Sequence, residues 1–347
     1  MHLLFALLVC WGLLVLFKRY AACLGLIDQP DGDRKLHAVA TPVVGGLAMA
    51  GGLLAGLGWL ALQGMMDQKA LALILSIALL ALLGVLDDRL DLRVSVRFLV
   101  QGGVSLILWW GGSYLFHFGD LLGLGLVELT PLEPLFTIIC VVGVINALNM
   151  VDGMDGVAGS ITLAAMIGYL ILAWMAGNML VLQVALLTIM VLLPFLFYNL
   201  RWGPHQRARL FMGDAGSMVL GLLLSWCAIE LTQSENPVLS PSAVLWVVVI
   251  PLFDLFGSIA HRVICHRPAF TADRNHIHHL ILALGLPESQ VPQTMFILSL
   301  LGVGVAINFA MGPLDSPLPV IMFCLLFALY VRFVVRFWYL RSSPDIS

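Results

Sequence analysis

The chain has 347 residues, of which 61% are hydrophobic and only 11% are charged, and its net charge is −3. Because a soluble domain is about 25% charged, this composition excludes water-soluble, disordered and collagen-like classes and indicates a polytopic membrane protein. The small net charge provides no polybasic face, so nucleic acid is not expected as a partner. The six cysteines are scattered without a CxxC pair, which favours structural thiols over a disulfide framework or a zinc site.

Apolar stretches long enough to cross a membrane recur along the whole chain. A spanning helix needs roughly 20 mostly apolar residues. We therefore predict an all-α integral membrane protein in a single domain, 1–347, with about eleven transmembrane helices. They are predicted near 1–17, 43–63, 70–86, 96–112, 134–149, 157–176, 178–198, 215–233, 242–261, 291–311 and 317–338.

The lysines and arginines predict the orientation. With eleven spans, sixteen of the seventeen basic residues fall on one side of the membrane, and Lys69 is the exception. The positive-inside rule makes that side cytoplasmic, so we predict a periplasmic N-terminus and a cytoplasmic C-terminus. The predicted cytoplasmic loops are about 18–42, 87–95, 150–156, 199–214 and 262–290.

Two charged motifs lie in the first part of the chain. The basic run containing Lys35 and His37 is typical of a topogenic signal and is also suited to binding phosphate. The third span ends in DDRLDL at 87–92, where Asp87 and Asp91 would share a helix face. Two interpretations stand for this acidic end: a solvated helix end balanced by nearby arginines, or a Mg²⁺ site, since Mg²⁺ prefers oxygen ligands.

Two further motifs carry aspartates next to glycines. In NALNMVDGMDG at 146–156, a helical turn would align Asn149, Asp152 and Asp155. Asp155 could be a helix N-cap, but a cap does not explain the other polar residues, so a functional site is favoured. In LFMGDAGS, Asp214 is interpreted as an N-cap or as a metal ligand beside a helix N-terminus that faces an anion.

The last predicted cytoplasmic loop contains DRNHIHH at 273–279. Three histidines in four residues suggest zinc, but no cysteine lies nearby and the spacing fits no common structural zinc pattern. The neighbouring arginines favour a phosphate-binding rim. Asp254, inside the ninth span, is interpreted as a partner of Arg262 or as part of the site.

All of these clusters lie on the predicted cytoplasmic side. A transporter is expected to place its polar groups near the bilayer midplane. An enzyme that joins a soluble substrate to a lipid places them at one membrane surface. The one-sided distribution therefore favours an enzyme, with its active site on the cytoplasmic face.

The motifs DDRLDL, NALNMVDGMDG, LFMGDAGS and HIHH resemble, in order and spacing, those of the polyprenyl-phosphate N-acetylhexosamine-1-phosphate transferase family. The run DRNHIHHLI is similar to the branch that uses UDP-N-acetylglucosamine rather than the phospho-MurNAc-pentapeptide branch. The resemblance implies a multi-pass enzyme of the bacterial inner membrane. It would transfer N-acetylglucosamine-1-phosphate from UDP-GlcNAc to undecaprenyl phosphate, releasing UMP, as a first step toward a surface polysaccharide such as O antigen.

The resemblance also implies roles for individual residues. Asp87 and Asp88 would activate or position the lipid phosphate, and Asp152 and Asp155 would lie near the catalytic and nucleotide sites. The implied ligands of Mg²⁺, for which Mn²⁺ is an alternative, are Asp214 and Asn149. The implied substrate-binding residues are Asn199, Phe211, Arg274, His276, His278, His279, Lys35 and His37. A homodimer is one expected oligomeric state.

Several alternatives remain open at this level. The sugar nucleotide could instead be UDP-GalNAc, UDP-FucNAc or UDP-QuiNAc, and attack could be direct or pass through an aspartyl-phosphate. An intramembrane prenyltransferase would need two DDxxD-like elements, of which this chain has one. A transporter of lipid-linked sugars would not need a one-sided Mg²⁺ site.

Overall fold

The structure is a computed structural model that describes residues 1–29, 40–65, 67–201, 207–234, 236–266, 268 and 276–342. Over these residues the fold is almost entirely helical, which confirms the predicted class. The helices are α1 (His2–Leu24), α2 (Gly45–Leu62), α3 (Gln68–Leu90), α4 (Val94–Trp110), α5 (Glu133–Val151), α6 (Val157–Ala176), α7 (Met179–Asn199), α8 (Gly213–Thr232), α9 (Pro241–Val244), α10 (Val249–Ile264), α11 (Ile277–Ala283), α12 (Val291–Ala310) and α13 (Leu318–Ser342). A 3₁₀ turn, Glu288–Gln290, leads into α12. Two short strands, β1 (Ile27–Asp28) and β2 (Thr41–Pro42), pair antiparallel, with Ile27 opposite Pro42.

Within the described part of the chain, nine helices are long and apolar enough to cross a membrane. Each overlaps one of the predicted spans. The predicted span at 96–112 corresponds to α4, a shorter apolar helix of 17 residues. The span predicted at 242–261 is divided between α9 and α10. The count of eleven and the orientation therefore stay predictions.

The division between α9 and α10 has a cause in the sequence. Pro251 lies in the first turn of α10, where the N–H that proline lacks has no helical partner to lose. A helix continuing from α9 would instead press the proline ring against the carbonyl of Val247, four residues earlier. The chain therefore starts a new helix at Val249.

The first helix is longer than the predicted 1–17. It runs through Lys18 and Arg19 to Leu24. Its C-cap is Gly25, whose φ of 68° is left-handed and whose N–H bonds to the carbonyls of Ala21 and Ala22. The ammonium of Lys18 lies 5.3 Å from the ring centroid of Tyr198 on α7. An aromatic face attracts a cation at this distance, which ties the end of α1 to the end of α7.

Helix α8 is the most enclosed of the spanning helices described, and small residues let its neighbours approach it closely. A Cβ built on Gly46 of α2 would lie 2.0 Å from the backbone nitrogen of Gly216. A Cβ built on Gly84 of α3 would lie 2.2 Å from the backbone of Ala215. Such approaches are possible only for glycine. They place the end of α3 directly beside the start of α8.

The opposite end of α8 carries a buried ion pair. Lys69 Nζ lies 2.9 Å from Glu230 Oε2, and the Glu230 side chain is 5% exposed. Ser113 donates its hydroxyl to Glu230 Oε1 at 2.7 Å and accepts the indole N–H of Trp226 at 3.0 Å. This network, which the sequence analysis did not identify, fixes α8 to α3 and to the loop that follows α4.

Candidate active site

The predicted acidic residues meet at one end of the bundle, where α3, α5 and α8 begin or end. Asp88 lies in the last turn of α3, and its Oδ1 accepts the backbone N–H of Asp214 at 3.0 Å. A carboxylate is stabilised at a helix N-terminus because the unpaired N–H groups there carry partial positive charge. Asp88 therefore joins the end of α3 to the start of α8.

Gly213 makes this junction possible. Its φ is 71°, a conformation that favours glycine, and a Cβ at this position would lie 2.6 Å from Asp88 Oδ2. Any other residue directly before Asp214 would be strained at this positive φ, and its Cβ would collide with the Asp88 carboxylate. The motif therefore needs glycine there.

Asn149 brings α5 into the same site. Its Nδ2 donates to Asp214 Oδ1 at 2.6 Å and to the hydroxyl of Ser217 at 2.9 Å. The two residues predicted as metal ligands, Asp214 and Asn149, are thus in direct contact. Ser217 was part of the recognised motif, but its contact with Asn149 was not predicted.

Asp87 has a different environment from Asp88. Its Oδ1 accepts the N–H of Leu92 at 2.9 Å, and its Oδ2 pairs with Arg97 at 2.9 Å. The guanidinium of Arg97 also lies 3.9 Å from Asp214 Oδ2. The predicted balance by arginine holds for Asp87 through Arg97, but Asp87 is buried rather than solvated.

The predicted helical pairing of Asp87 with Asp91 is wrong. Helix α3 ends at Leu90, and Asp91 adopts a left-handed φ of 49° at its C-cap. Asp91 is exposed. Asp88 and Asp87 are the acids of this motif that lie beside Asp214, through its backbone N–H and its side chain respectively.

Asp152 lies just beyond the end of α5, so the predicted helical turn through Asn149, Asp152 and Asp155 is also wrong. Burial raises the pKa of Asp152 well above its ordinary value, and the charges of Asp214 and Asp88 raise it further. Asp152 therefore belongs electrostatically to the cluster formed by Asp88 and Asp214.

Asp155 points to a different partner. Its Oδ2 accepts from Arg201 Nε at 2.7 Å and from the N–H of Ala208 at 3.2 Å. Arg201 also pairs with Glu288. Asp155 does not cap α6, whose N-cap is Gly156. Asp155 therefore connects the loop before α6 with Arg201 and Ala208, which follow α7. The sequence analysis did not predict this role of Arg201.

The carboxamide of Asn199 connects two loops. Its Oδ1 accepts the N–H of Gly156 at 2.7 Å, and its Nδ2 donates to the carbonyl of Leu210 at 2.9 Å. Phe211 is held through its backbone, which bonds to Pro42 at 2.8 Å and to Gly45 at 2.9 Å. The contacts of Asn199 and Phe211 with a nucleoside stay predictions.

The histidines lie beside the loop that contains Asp152, where His278 contacts Gly153. His276 Nδ1 lies 2.7 Å from Asp254 Oδ2, so Asp254 pairs with His276, and its part in the site stays a prediction. The rings of His276 and His278 are stacked, with centroids 5.7 Å apart. His278 and His279 are also in ring contact, at 4.3 Å.

His278 is 2% exposed and lies against the backbone of Gly153, where a Cβ would be 3.0 Å from its Cε1 and Nε2. Burial, with a smaller effect from His279, lowers the pKa of His278 to about 3. His278 is therefore neutral at pH 7 in this structure. The predicted residues Lys35, His37 and Arg274 lie outside the described residues.

The donor set suits a hard cation. Among the residues that the structure describes, no group of three or more His, Cys, Asp or Glu side chains is arranged to hold a metal ion. Mg²⁺, however, keeps several waters and is usually bound through one or two carboxylates together with substrate phosphates. Asp214, the carbonyl oxygen of Asn149 and the nearby Asp88 and Asp152 are oxygen donors of that kind.

Fold and site together define an integral membrane protein with an acidic site at one end of its helix bundle. The chain belongs to glycosyl transferase family 4, whose model matches residues 70–232, from α3 to the end of α8. The match includes the acidic site and excludes the histidines.

Curated relatives resemble the chain over most of its length. One relative is named undecaprenyl-phosphate alpha-N-acetylglucosaminyl 1-phosphate transferase and comes from Escherichia coli (strain K12). It is 30% identical over 92% of this chain and 87% of the relative. The Haemophilus influenzae protein of that name is 31% identical over 94% of this chain and 91% of the relative. The Yersinia pestis protein is 30% identical over 97% and 92%.

Proposed function

We propose that this protein transfers N-acetylglucosamine-1-phosphate from UDP-GlcNAc to undecaprenyl phosphate and releases UMP. The observation that carries the proposal is the junction of Asp88, Asp214 and Asn149 at one end of a membrane bundle. Relatives that match over most of this chain and are named for this reaction support the choice of substrates. The product would be a lipid-linked sugar for a surface polysaccharide such as O antigen.

The reaction exchanges one phosphoanhydride bond for another. An oxygen of the lipid phosphate forms a bond to the phosphorus that carries the sugar, and the bond from that phosphorus to UMP breaks. Two anions must approach each other, so the protein has to offset their repulsion and hold them in line. Arg97, 3.9 Å from Asp214, is already paired with Asp87, so further positive charge, such as a metal ion, is needed at this place.

The aspartates then divide into two roles. Both oxygens of Asp87 are engaged, by the N–H of Leu92 and by Arg97, so we assign Asp87 to positioning. Asp88 and Asp152 are the candidates for accepting a proton from the lipid phosphate. Asp152 lies in the loop directly after Asn149 and α5, and the charges of Asp88 and Asp214 act on it, so it lies at the acidic site.

We further propose that Asp214 and Asn149 hold Mg²⁺, for which Mn²⁺ could substitute. When bound, the metal would neutralise the charge that develops on the phosphate oxygens. His276, His279 and Phe211 are proposed to lie along the sugar nucleotide, and the buried Asn199 and His278 are proposed to hold the loops beside it. The site is proposed to face the cytoplasm from the inner membrane, where UDP-sugars would reach it.

The first test is release of UMP by the purified protein in detergent with undecaprenyl phosphate and Mg²⁺. UDP-GlcNAc should give lipid-dependent UMP, and chelation of the metal should abolish it. If only UDP-GalNAc gave UMP, the proposed reaction would stand and the proposed sugar would be wrong. No UMP from either sugar nucleotide or from UDP-MurNAc-pentapeptide, in a folded sample, would favour transport of a lipid-linked sugar instead.

Asp214→Asn tests the proposed role of Asp214 as a metal ligand. The asparagine keeps an acceptor oxygen for Asn149 but removes the charge that a metal needs. We expect kcat to fall at least about 100-fold while the variant stays folded. Wild-type kcat would remove the metal role from Asp214.

A further inference from the structure

A buried carboxylate inside α10 is not used by the chemistry described above. Asp254 is 1% exposed, and a buried ionised group is costly unless it is paired. Its two oxygens have separate partners. Oδ2 lies 2.7 Å from His276 Nδ1, and Oδ1 accepts the N–H of Ile277 at 2.6 Å.

These two bonds fix both the ring and the backbone of one residue. Since Asp254 can only accept when ionised, Nδ1 of His276 must carry a proton. The neutral ring is then restricted to the tautomer with an unprotonated Nε2. The bond to Ile277 holds the start of α11, so the His276 side chain and the backbone after it cannot shift independently. Ser258, one turn along α10, adds a contact with Nδ1 at 3.3 Å.

The ring that Asp254 holds leads to the acidic site. His276 stacks on His278 with an interplanar angle of 5°. His278 in turn lies against Gly153, the residue that follows Asp152. A continuous set of contacts therefore runs from inside α10, through two imidazole rings, to the loop that carries Asp152.

We infer that Asp254 is a positioning residue for the transfer reaction, acting through His276 to set the tautomer and placement of the histidines beside the Asp152 loop. The inference rests on the proposed function and assigns no contact between Asp254 and substrate. It explains why α10 keeps a buried acid at this level.

The test is Asp254→Asn, assayed by UMP release with kcat expressed per folded molecule. The asparagine oxygen can still accept the Ile277 N–H, but its amide then faces Nδ1 as a donor and reverses the tautomer of His276. We expect kcat to fall at least tenfold with the KM for undecaprenyl phosphate within twofold. A purely structural role would lower the folded yield and leave kcat per molecule unchanged, and that result would overturn the inference.

Two further variants sharpen the test. Glu230→Gln is the matched control, because it neutralises another buried, paired acid at the opposite end of the bundle, and its kcat should stay within twofold. In a double-mutant cycle, His276→Asn removes the ring but keeps a donor for Asp254. Adding Asp254→Asn to it should cost little more if Asp254 acts through His276. Fully additive losses would contradict the inference.

Folding failure would not leave the question open. If Asp254→Asn does not fold, Asp254→Glu keeps the charge and displaces the carboxylate by one methylene, and unchanged kcat in that variant would overturn the inference. Inactivity of the wild-type protein would instead contradict the proposed function. The two failures are therefore distinguishable.

Discussion

Asp88 and Asp91 are three residues apart, yet the structure gives them opposite environments. Asp88 accepts the N–H of Asp214, whereas Asp91 is exposed beyond the end of α3. We expect Asp88→Asn to lower kcat at least about 100-fold, because the site loses a charge while the new side chain can still accept the N–H. Asp91→Asn should stay within about twofold. UMP release by the two purified variants measures this difference, and equal losses would contradict it.

His278 predicts a dependence of stability on pH. Its pKa is about 3 in the folded protein and about 6.5 when unfolded, so the unfolded state binds the proton more strongly. Stability should therefore fall as the pH drops below about 6.5, by roughly 2 kcal/mol between pH 7 and pH 5. Thermal unfolding in detergent at the two pH values would measure the loss.

A matched pair of variants isolates this effect. His278→Asn should flatten the pH dependence, whereas His266→Asn should keep it, because His266 is exposed and its left-handed φ of 55° suits asparagine. The same acid sensitivity in His278→Asn as in the wild type would assign it to other groups.

At the scale of helices, the approach of α3 to α8 sets the distance between the acidic residues. A Cβ at Gly84 would overlap the backbone of Ala215, so Gly84→Ala must separate the two helices. We expect a loss of thermal stability of about 2 kcal/mol and a fall in kcat. Gly58→Ala in α2 is the control, since nothing lies within 4 Å of a Cβ there. It should be neutral or stabilising by up to about 1 kcal/mol, and a larger loss in Gly58→Ala than in Gly84→Ala would contradict the packing argument.

The sequence predicts helices well here because long apolar runs need only a length criterion. It identifies Asp88, Asn149 and Asp214 because polar and charged groups stand out in such runs. It does not predict their partners, because Asp88 and Asp214 are 126 residues apart and meet only through the glycine-mediated packing of α3 against α8. Spacing arguments also fail where a helix ends inside the motif, as it does at Leu90 and at Val151.

For the whole molecule, the distribution of basic residues predicts which end of the bundle faces the cytoplasm. Cys23 and Cys265 are exposed and lie on the predicted cytoplasmic side, whereas Leu124 is 87% exposed on the other. A membrane-impermeant thiol reagent should label Cys23 and Cys265 only in inside-out vesicles. Leu124→Cys should be labelled only in spheroplasts. The reverse pattern would invert the topology and place the acidic site outside.

Helix α8 has an anchored acid near each end: Asp214 beside Asp88 and Arg97, and Glu230 paired with Lys69. At roughly 1.5 Å of rise per residue, the two acids lie about 24 Å apart along the helix, whereas the hydrocarbon core of a typical bilayer is about 30 Å thick. The two polar layers are therefore closer together than the two lipid–water boundaries. Either the surrounding bilayer is thinned, or at least one of the two acids lies below a lipid–water boundary. Where that acid is Asp214, bilayer thickness affects how the lipid substrate reaches the site. Activity in vesicles should accordingly fall as acyl chains are lengthened at constant headgroup composition.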